Sequence, residues 1–179
     1  MKYSVLEIAT LTGTEYVGNP HQIIRRIAFD SRTIFTADQT AFLAINTTKN
    51  SGEKYILSAV DKGVKVIIAE HIIQNIPDVT WILVNNSVEF LQQLAQKHLE
   101  RFPNLQTIGI TGSNGKTMVK EWLYQSFSEK YNTVKSPKSF NSQIGLPISL
   151  LQISDKNEVG IFEVGISKPT EMEKLEQIF

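Results

Sequence analysis

The apolar positions of the chain change period along its length. Residues 3–11 carry them at helical spacing, which predicts a short helix closed by Gly13. The stretch "IIRRIAFDSR" predicts a strand ending at Asp30, and "TAFLAI" predicts another. In "EKYILSAVDKGV" the helical period returns and stops at Gly63. "VKVIIAE" and "TWILVN" are short β-branched runs, hence strands. "SVEFLQQLAQKHLERF" predicts a longer helix, with Ser87 as its expected N-cap and Pro103 beyond its end. Pro103 and Asn104 are the expected boundary, which divides the chain into 1–103 and 104–179.

Beyond that boundary the pattern restarts. "LQTIGIT" predicts a strand, a Gly-rich turn follows, and a helix is expected over residues 117–129. "NTVKS" predicts the next strand, and "NSQIGLPISLLQI" a helix after its proline. "EVGIFEVGI" reads as a buried strand, and "TEMEKLEQIF" as a helix whose Thr170 and Glu173 fit a capping box. Strand alternating with helix predicts an α/β fold with a parallel sheet. The second unit holds only about three strands, fewer than a complete nucleotide-binding sheet of this type. The expectation is therefore a truncated domain.

Composition narrows the field. Of 179 residues, 41% are hydrophobic and 20% charged, enough apolar content for a globular core. Lys plus Arg equals Asp plus Glu at 18 each, so bulk charge gives no reason to expect a nucleic acid or an acidic membrane as partner. The chain has no cysteine, which rules out a disulfide framework or a Cys-based zinc site. His21, His71 and His98 fit no metal-ligand spacing. No apolar run reaches signal-peptide or membrane-spanning length, and a cytoplasmic location is expected.

The chemistry concentrates in "IGITGSNGKTMVKEW". A buried strand runs into a Gly-rich turn, then Lys-Thr, then a helix. The spacing is shorter than G-x-x-x-x-G-K-[ST], because the residue five before Gly115 is Ile110. Gly112 and Gly115 allow a tight turn, so that the backbone N–H groups of Gly112, Ser113, Asn114 and Gly115 can converge on phosphate oxygens. The helix adds its positive N-terminal end. Lys116 is placed to reach the outer phosphates, and Thr117 offers a hydroxyl to Mg²⁺. Glu163, at the end of "VGIFEVG", lies where open α/β sheets gather ligands, and a carboxylate there suits Mg²⁺. A GTPase switch would add D-x-x-G and N-K-x-D strings, and neither occurs.

"TGSNGKTMVKEW" resembles the nucleotide loop of the Mur ligases, the ATP-dependent amide-forming enzymes of peptidoglycan assembly. Folylpolyglutamate synthetases share the shortened loop. Ser113, the Lys120-Glu121 pair, "FNSQIGLPISLL" and "FEVGIS" are most similar to the branch that joins D-alanyl-D-alanine (D-Ala-D-Ala) to UDP-N-acetylmuramoyl-tripeptide (UDP-MurNAc-tripeptide). "FDSRTI" resembles the D-S-R turn of the family's N-terminal domain. The resemblance is strong over residues 107–167 and looser before them. It departs at Ser142, where the family has a second Asn, and at "SGEKY", which keeps Gly52 but has Glu53 where the family commonly has His.

The resemblance implies a small N-terminal α/β substrate domain over 1–103, then the first part of a P-loop parallel-sheet ATPase domain over 104–179. It implies ATP and Mg²⁺ as cofactors and UDP-MurNAc-tripeptide and D-Ala-D-Ala as small-molecule substrates. Lys116 would steady the β- and γ-phosphates, Thr117 and Glu163 would hold Mg²⁺, and Asn141 would sit near the γ-phosphate. Ser31 and Arg32 would help bind the UDP-linked peptide, although Asp30-Ser31 is also good turn chemistry. Adenine and amine contacts are expected in a missing C-terminal portion, without which ligation is not expected. The alternatives are another Mur ligase, a folylpolyglutamate-synthetase-like ligase, or a nucleotide-binding module without turnover.

Overall fold

The computed structural model describes residues 1–47 and 51–165. The chain divides into two compact units, Met1–Phe90 and Leu91–Phe179. The helix expected after Thr170 lies outside the described residues.

In the first unit, β1 (Tyr3–Ser4) pairs antiparallel with β3 (Ile23–Ile24). Between them lie α1 (Val5–Thr12) and β2 (Glu15–Val17). The start of α1 is a capping box. Ser4 Oγ accepts from the Glu7 N–H at 3.2 Å, and Glu7 Oε2 accepts from the Ser4 N–H at 2.6 Å. Gly13, at φ +66°, closes the helix in the left-handed conformation.

The main sheet of this unit has the order β2-β7-β6-β5-β4. Here β4 is Arg26–Ala28, β5 Thr40–Leu43, β6 Val66–Ala69 and β7 Thr80–Leu83. Strands β4 to β7 run parallel, and β2 joins β7 antiparallel. Every residue of β5 and β6 is buried, which explains their unbroken apolar runs. Phe42, Ile67 and Trp81 enter one core cluster with Ile34, Ile56 and Val64.

Two expectations change here. The single strand expected up to Asp30 is two strands in different sheets: β3 pairs with β1, and β4 pairs with β5. The switch falls at Arg25, whose N–H, like that of Arg26, donates to the Gln39 carbonyl. The helix expected from residue 53 begins as a 3-10 turn, Gly52–Tyr55, and becomes α2 only over Ile56–Asp61. A Cβ on Gly52 would stand 2.5 Å from the Ile45 nitrogen, so only glycine lets this turn pass the chain.

The long helix α3 is Ser87–Leu99. Its side-chain cap is Asn86, not the expected Ser87. Asn86 Oδ1 accepts from the N–H groups of Val88 (2.9 Å) and Glu89 (3.1 Å). Ser87 is buried and bonds Glu70 instead.

The second unit carries β8 (Gln106–Ile110), α4 (Lys116–Ser128), β9 (Thr133–Lys135), α5 (Gly145–Leu150) and β10 (Val159–Glu163). The order is β8-β10-β9, all parallel. Helix α5 starts two residues before Pro147 rather than after it. Ser142 Oγ accepts from the Gly145 N–H at 3.1 Å, and first-turn N–H groups have no helical partner for a proline to remove. Ile110, Val159 and Ile161 form a core with Leu123, Tyr124 and Phe127 of α4.

His98 is buried in this unit, its Nε2 3.0 Å from the Ile153 carbonyl. A carbonyl only accepts, so the ring carries its proton on Nε2. Burial lowers its pKa from 6.5 to about 4, against the Ile153 hydrogen bond, which raises it. The unfolded chain therefore binds a proton between pH 6.5 and 4 that the folded chain does not. This contribution to stability is complete above pH 6.5 and is lost as pH falls towards 4. Urea unfolding across that window is expected to show a loss of about 2–3 kcal/mol in the wild type that is absent in His98→Gln.

Candidate functional site

The site is built where β8 and β10 end side by side. Register places Glu163 opposite Ile110, the last residue of β8, two before Gly112. The zip continues past the strands. The Val164 N–H donates to the Ile110 carbonyl at 2.8 Å, and the Gly165 N–H to the Asn141 carbonyl at 2.7 Å. A Cβ on Gly165 would stand 2.8 Å from Asn141 Cγ. Thus Glu163, Asn141 and the start of the loop, three separate parts of the sequence, come to one place.

The loop has the expected backbone. Gly112 is at φ +135° and Gly115 at φ +78°, conformations that side chains rarely adopt. Gly115 is also the N-cap of α4, and no side chain caps the helix there. The first-turn N–H groups of α4 are thus left for an anion. Ser113, Asn114 and Thr117 are exposed. Lys116 opens the helix, and its Nζ donates back to the Gly112 carbonyl, so the ammonium stands over the loop.

Glu163 is not a solvated strand end. Its side chain is 1% exposed, and its N–H donates to Ser136 Oγ at 3.1 Å. Lys120, completely buried, holds its ammonium 2.9 Å from Glu163 Oε1, outside good hydrogen-bond geometry. Neither carboxylate oxygen accepts a hydrogen bond among the described residues. Lys120 Nζ also donates to the Lys138 carbonyl and lies 3.4 Å from Glu121 Oε1. Glu121 in turn pairs with Lys135, whose hydrogen bond lowers the Glu121 pKa. In the sequence Lys120 entered only through the Lys120-Glu121 pair of the family resemblance, and this contact was missed. The signal was there: residue 120 falls on the inward stripe of Leu123, Tyr124 and Phe127, where a charge is out of place.

Ser31 and Arg32 lie in the first unit, in a 3-10 turn capped by Asp30. Ser31 is buried; its hydroxyl is 3.3 Å from Ser58 Oγ and its carbonyl accepts from Lys62 Nζ at 2.6 Å. Arg32 is exposed, its guanidinium forked onto Asp30, and this hydrogen bonding holds the Asp30 pKa down. A polar cluster unforeseen from the sequence sits elsewhere in the unit. Asn46 Nδ2 donates to Glu53 Oε1 and Glu70 Oε2, and Asn46 Oδ1 accepts from the Gly52 N–H. Burial pushes the Glu70 pKa up, but hydrogen bonds from Asn46 and Ser87 outweigh it and leave it lowered. Trp81 is a core residue, and Tyr55 is 40% exposed.

Residues 110–179 match the Mur ligase middle domain. The chain is 38% identical over 164 residues to a UDP-N-acetylmuramoyl-tripeptide–D-alanyl-D-alanine ligase of Treponema pallidum, covering 85% of this chain and 35% of that protein. It belongs to the Mur ligase family. The Borreliella burgdorferi ligase of the same name is 37% identical, over 92% of this chain and 38% of its own length. Among solved Mur ligases, a MurF from Acinetobacter baumannii superposes with a TM-score of 0.90 at 25% identity, over 99% of this chain and 38% of that one. A Thermotoga maritima MurF in complex with ADP has a TM-score of 0.72 at 32% identity, over 86% of this chain and 35% of that one. The chain thus spans well under half the length of these Mur ligases.

Removing one partner of a buried ion pair leaves the other charge uncompensated. Lys120→Met is expected to cost about 3–5 kcal/mol in urea unfolding, and adding Glu163→Leu to restore most of it.

Proposed function

We propose that this chain forms the UDP-substrate and nucleotide-binding part of an ATP-dependent ligase that joins D-Ala-D-Ala to UDP-MurNAc-tripeptide. The observation that carries the reading is the carboxylate of Glu163 buried at the end of β10, register-paired beside the phosphate loop. Residues 1–103 serve as the substrate domain, and 104–179 contribute the first part of the ATP-binding domain. Ser31 and Arg32 belong to the substrate site. Among the described residues no helix is long and apolar enough to cross a membrane, and the reading places the reaction in the cytoplasm.

A peptide carboxylate is a poor electrophile because it is anionic and has no leaving group. Transfer of the ATP γ-phosphoryl group to its oxygen releases ADP and leaves an acyl phosphate. The amine of D-Ala-D-Ala attacks the acyl carbon and loses a proton, and phosphate departs as the amide forms. The protein supplies position and charge. The N–H groups of Gly112, Ser113, Asn114 and Gly115 cradle the phosphates. Lys116 leaves the Gly112 carbonyl for the β- and γ-phosphate oxygens, and Asn141 stands beside the γ-phosphate.

The residues present fit Mg²⁺. Glu163 offers a carboxylate with unsatisfied oxygens, and Thr117 offers an exposed hydroxyl. Among the described residues no group of three or more His, Asp or Glu could hold a metal, so nucleotide phosphates would complete the shell, as Mg²⁺ favours. When bound, the ion neutralises charge building on the phosphates.

A second reading within the family also has support. A diaminopimelate-adding ligase of Phocaeicola vulgatus is 33% identical over 67% of this chain. Calorimetric titration separates the two. Saturable binding of UDP-MurNAc-tripeptide, weaker for UDP-MurNAc-dipeptide and for UDP alone, is expected. Preference for the dipeptide would favour the second reading, and no binding by the folded chain would count against a substrate site in residues 1–103. Lys116→Ala is expected to weaken ATP binding at least tenfold, read by fluorescence of a labelled nucleotide, while the melting temperature stays within a few degrees.

A further inference from the structure

We propose that Lys120 is a positioning residue for the divalent cation: its buried ammonium takes one oxygen of Glu163 and leaves the other for the metal. The inference rests on the nucleotide-site reading above and deepens it.

The argument begins with what a lysine on the inward stripe of α4 costs. A buried ammonium needs a counter-charge and acceptors for its protons. Lys120 has both, with Glu163 Oε1 at 2.9 Å and the Lys138 carbonyl as acceptor. The two anchors fix the ammonium from opposite parts of the sequence, the end of β10 and the loop after β9. The stem of Lys120 leaves α4 one turn after Lys116, so the helix that opens at the phosphate loop also carries the counter-ion of Glu163. Glu163 Oε2 accepts no hydrogen bond among the described residues and is equally buried. A carboxylate with one oxygen held in an ion pair and the other facing no ammonium is prepared for single-oxygen coordination. Among the described residues Lys120 is the polar partner that locates this side chain; the Glu163 backbone N–H is bonded separately, to Ser136 Oγ.

Lys120 is also a link in a chain of charge. Glu121 Oε1 lies 3.4 Å from the same ammonium, and Lys135 of β9 closes on Glu121 from the other side. Lys135 in turn stands 3.9 Å from the ring centroid of Tyr124. The ammonium therefore has a fixed station before any cation arrives. A metal on Glu163 Oε2 meets an oriented carboxylate rather than a rotating one, which is the condition for selective coordination.

The test uses the 179-residue chain loaded with ADP. Mn²⁺ binding is followed by electron paramagnetic resonance, and ADP binding without metal is measured in EDTA. Lys120→Met is expected to weaken Mn²⁺ at least tenfold while metal-free ADP binding changes less than twofold. Lys120→Arg is expected to retain Mn²⁺ affinity within about threefold. In a Glu163→Gln background, Lys120→Met is expected to add nothing, because its partner is already gone. A structural role alone would lower both affinities together, and that result, or unchanged Mn²⁺ affinity in Lys120→Met, overturns the proposal. Should Lys120→Met not fold, the wild type decides: the Lys120 side-chain ¹⁵N resonance is expected to shift when Mg²⁺ joins the ADP-bound chain, and no shift overturns the proposal. If the wild type binds no ADP, the nucleotide reading fails and this inference falls with it. If it binds ADP and Mn²⁺ but the variants behave as wild type, only the inference fails.

Discussion

A carboxylate withdrawn from solvent at the end of a parallel strand constrains everything near it. Glu163 cannot be hydrated, so its charge has to be met from within the protein. Lys120 meets it, which requires that α4 lie with residue 120 inward and its stem along the core of Leu123, Tyr124 and Phe127. The same ammonium draws in the Lys138 carbonyl, and Ser136 takes the Glu163 N–H. One buried charge thus ties the phosphate-loop helix, the central strand and the loop after β9 into a single unit.

The site depends on register more than on any single residue. Parallel pairing of β10 with β8 sets Glu163 opposite Ile110, and the next two N–H groups bond Ile110 and Asn141 in turn. A carboxylate shifted by one position would point to the other face of the sheet. Gly165 matters for the same reason, because a side chain there would displace Asn141. The first unit is organised differently. Its parallel strands carry an apolar core, and its polar connections gather at Asn46, which joins Glu53, Glu70 and the Gly52 turn.

The phosphate loop was readable because every part of it is local: strand, two glycines in unusual conformations, a lysine and a helix start lie within a dozen residues. The parallel strands β5 and β6 were readable because burial on both faces leaves a continuous apolar run. The resemblance to the Mur ligases rested on the phosphate-loop string with "FNSQIGLPISLL", "FEVGIS" and "FDSRTI", and the family comparisons agree with it. Less legible were the features set by partners distant in sequence. The run "IIRRIAF" looks continuous, yet Arg25 turns it from one sheet to another because β1 and β5 each claim a different half. Ser87 has the right chemistry for an N-cap but is drawn inward by Glu70, and Asn86 caps instead.

By itself the sequence determined the α/β class, the position and conformation of the glycine turn, and the placing of Lys116 at the first turn of a helix. Backbone preference and periodicity act over a few residues, and such features need no distant partner. Only the tertiary structure decided that Glu163 is buried, that Lys120 is its counter-ion, and that Asn141 is held beside them. A charged residue on a helix reads as solvated unless something opposite it is known. What stands opposite is set by strand order and register, which pair residues 43 positions apart; the α4 segment shows that residue 120 faces inward, but not what meets its charge.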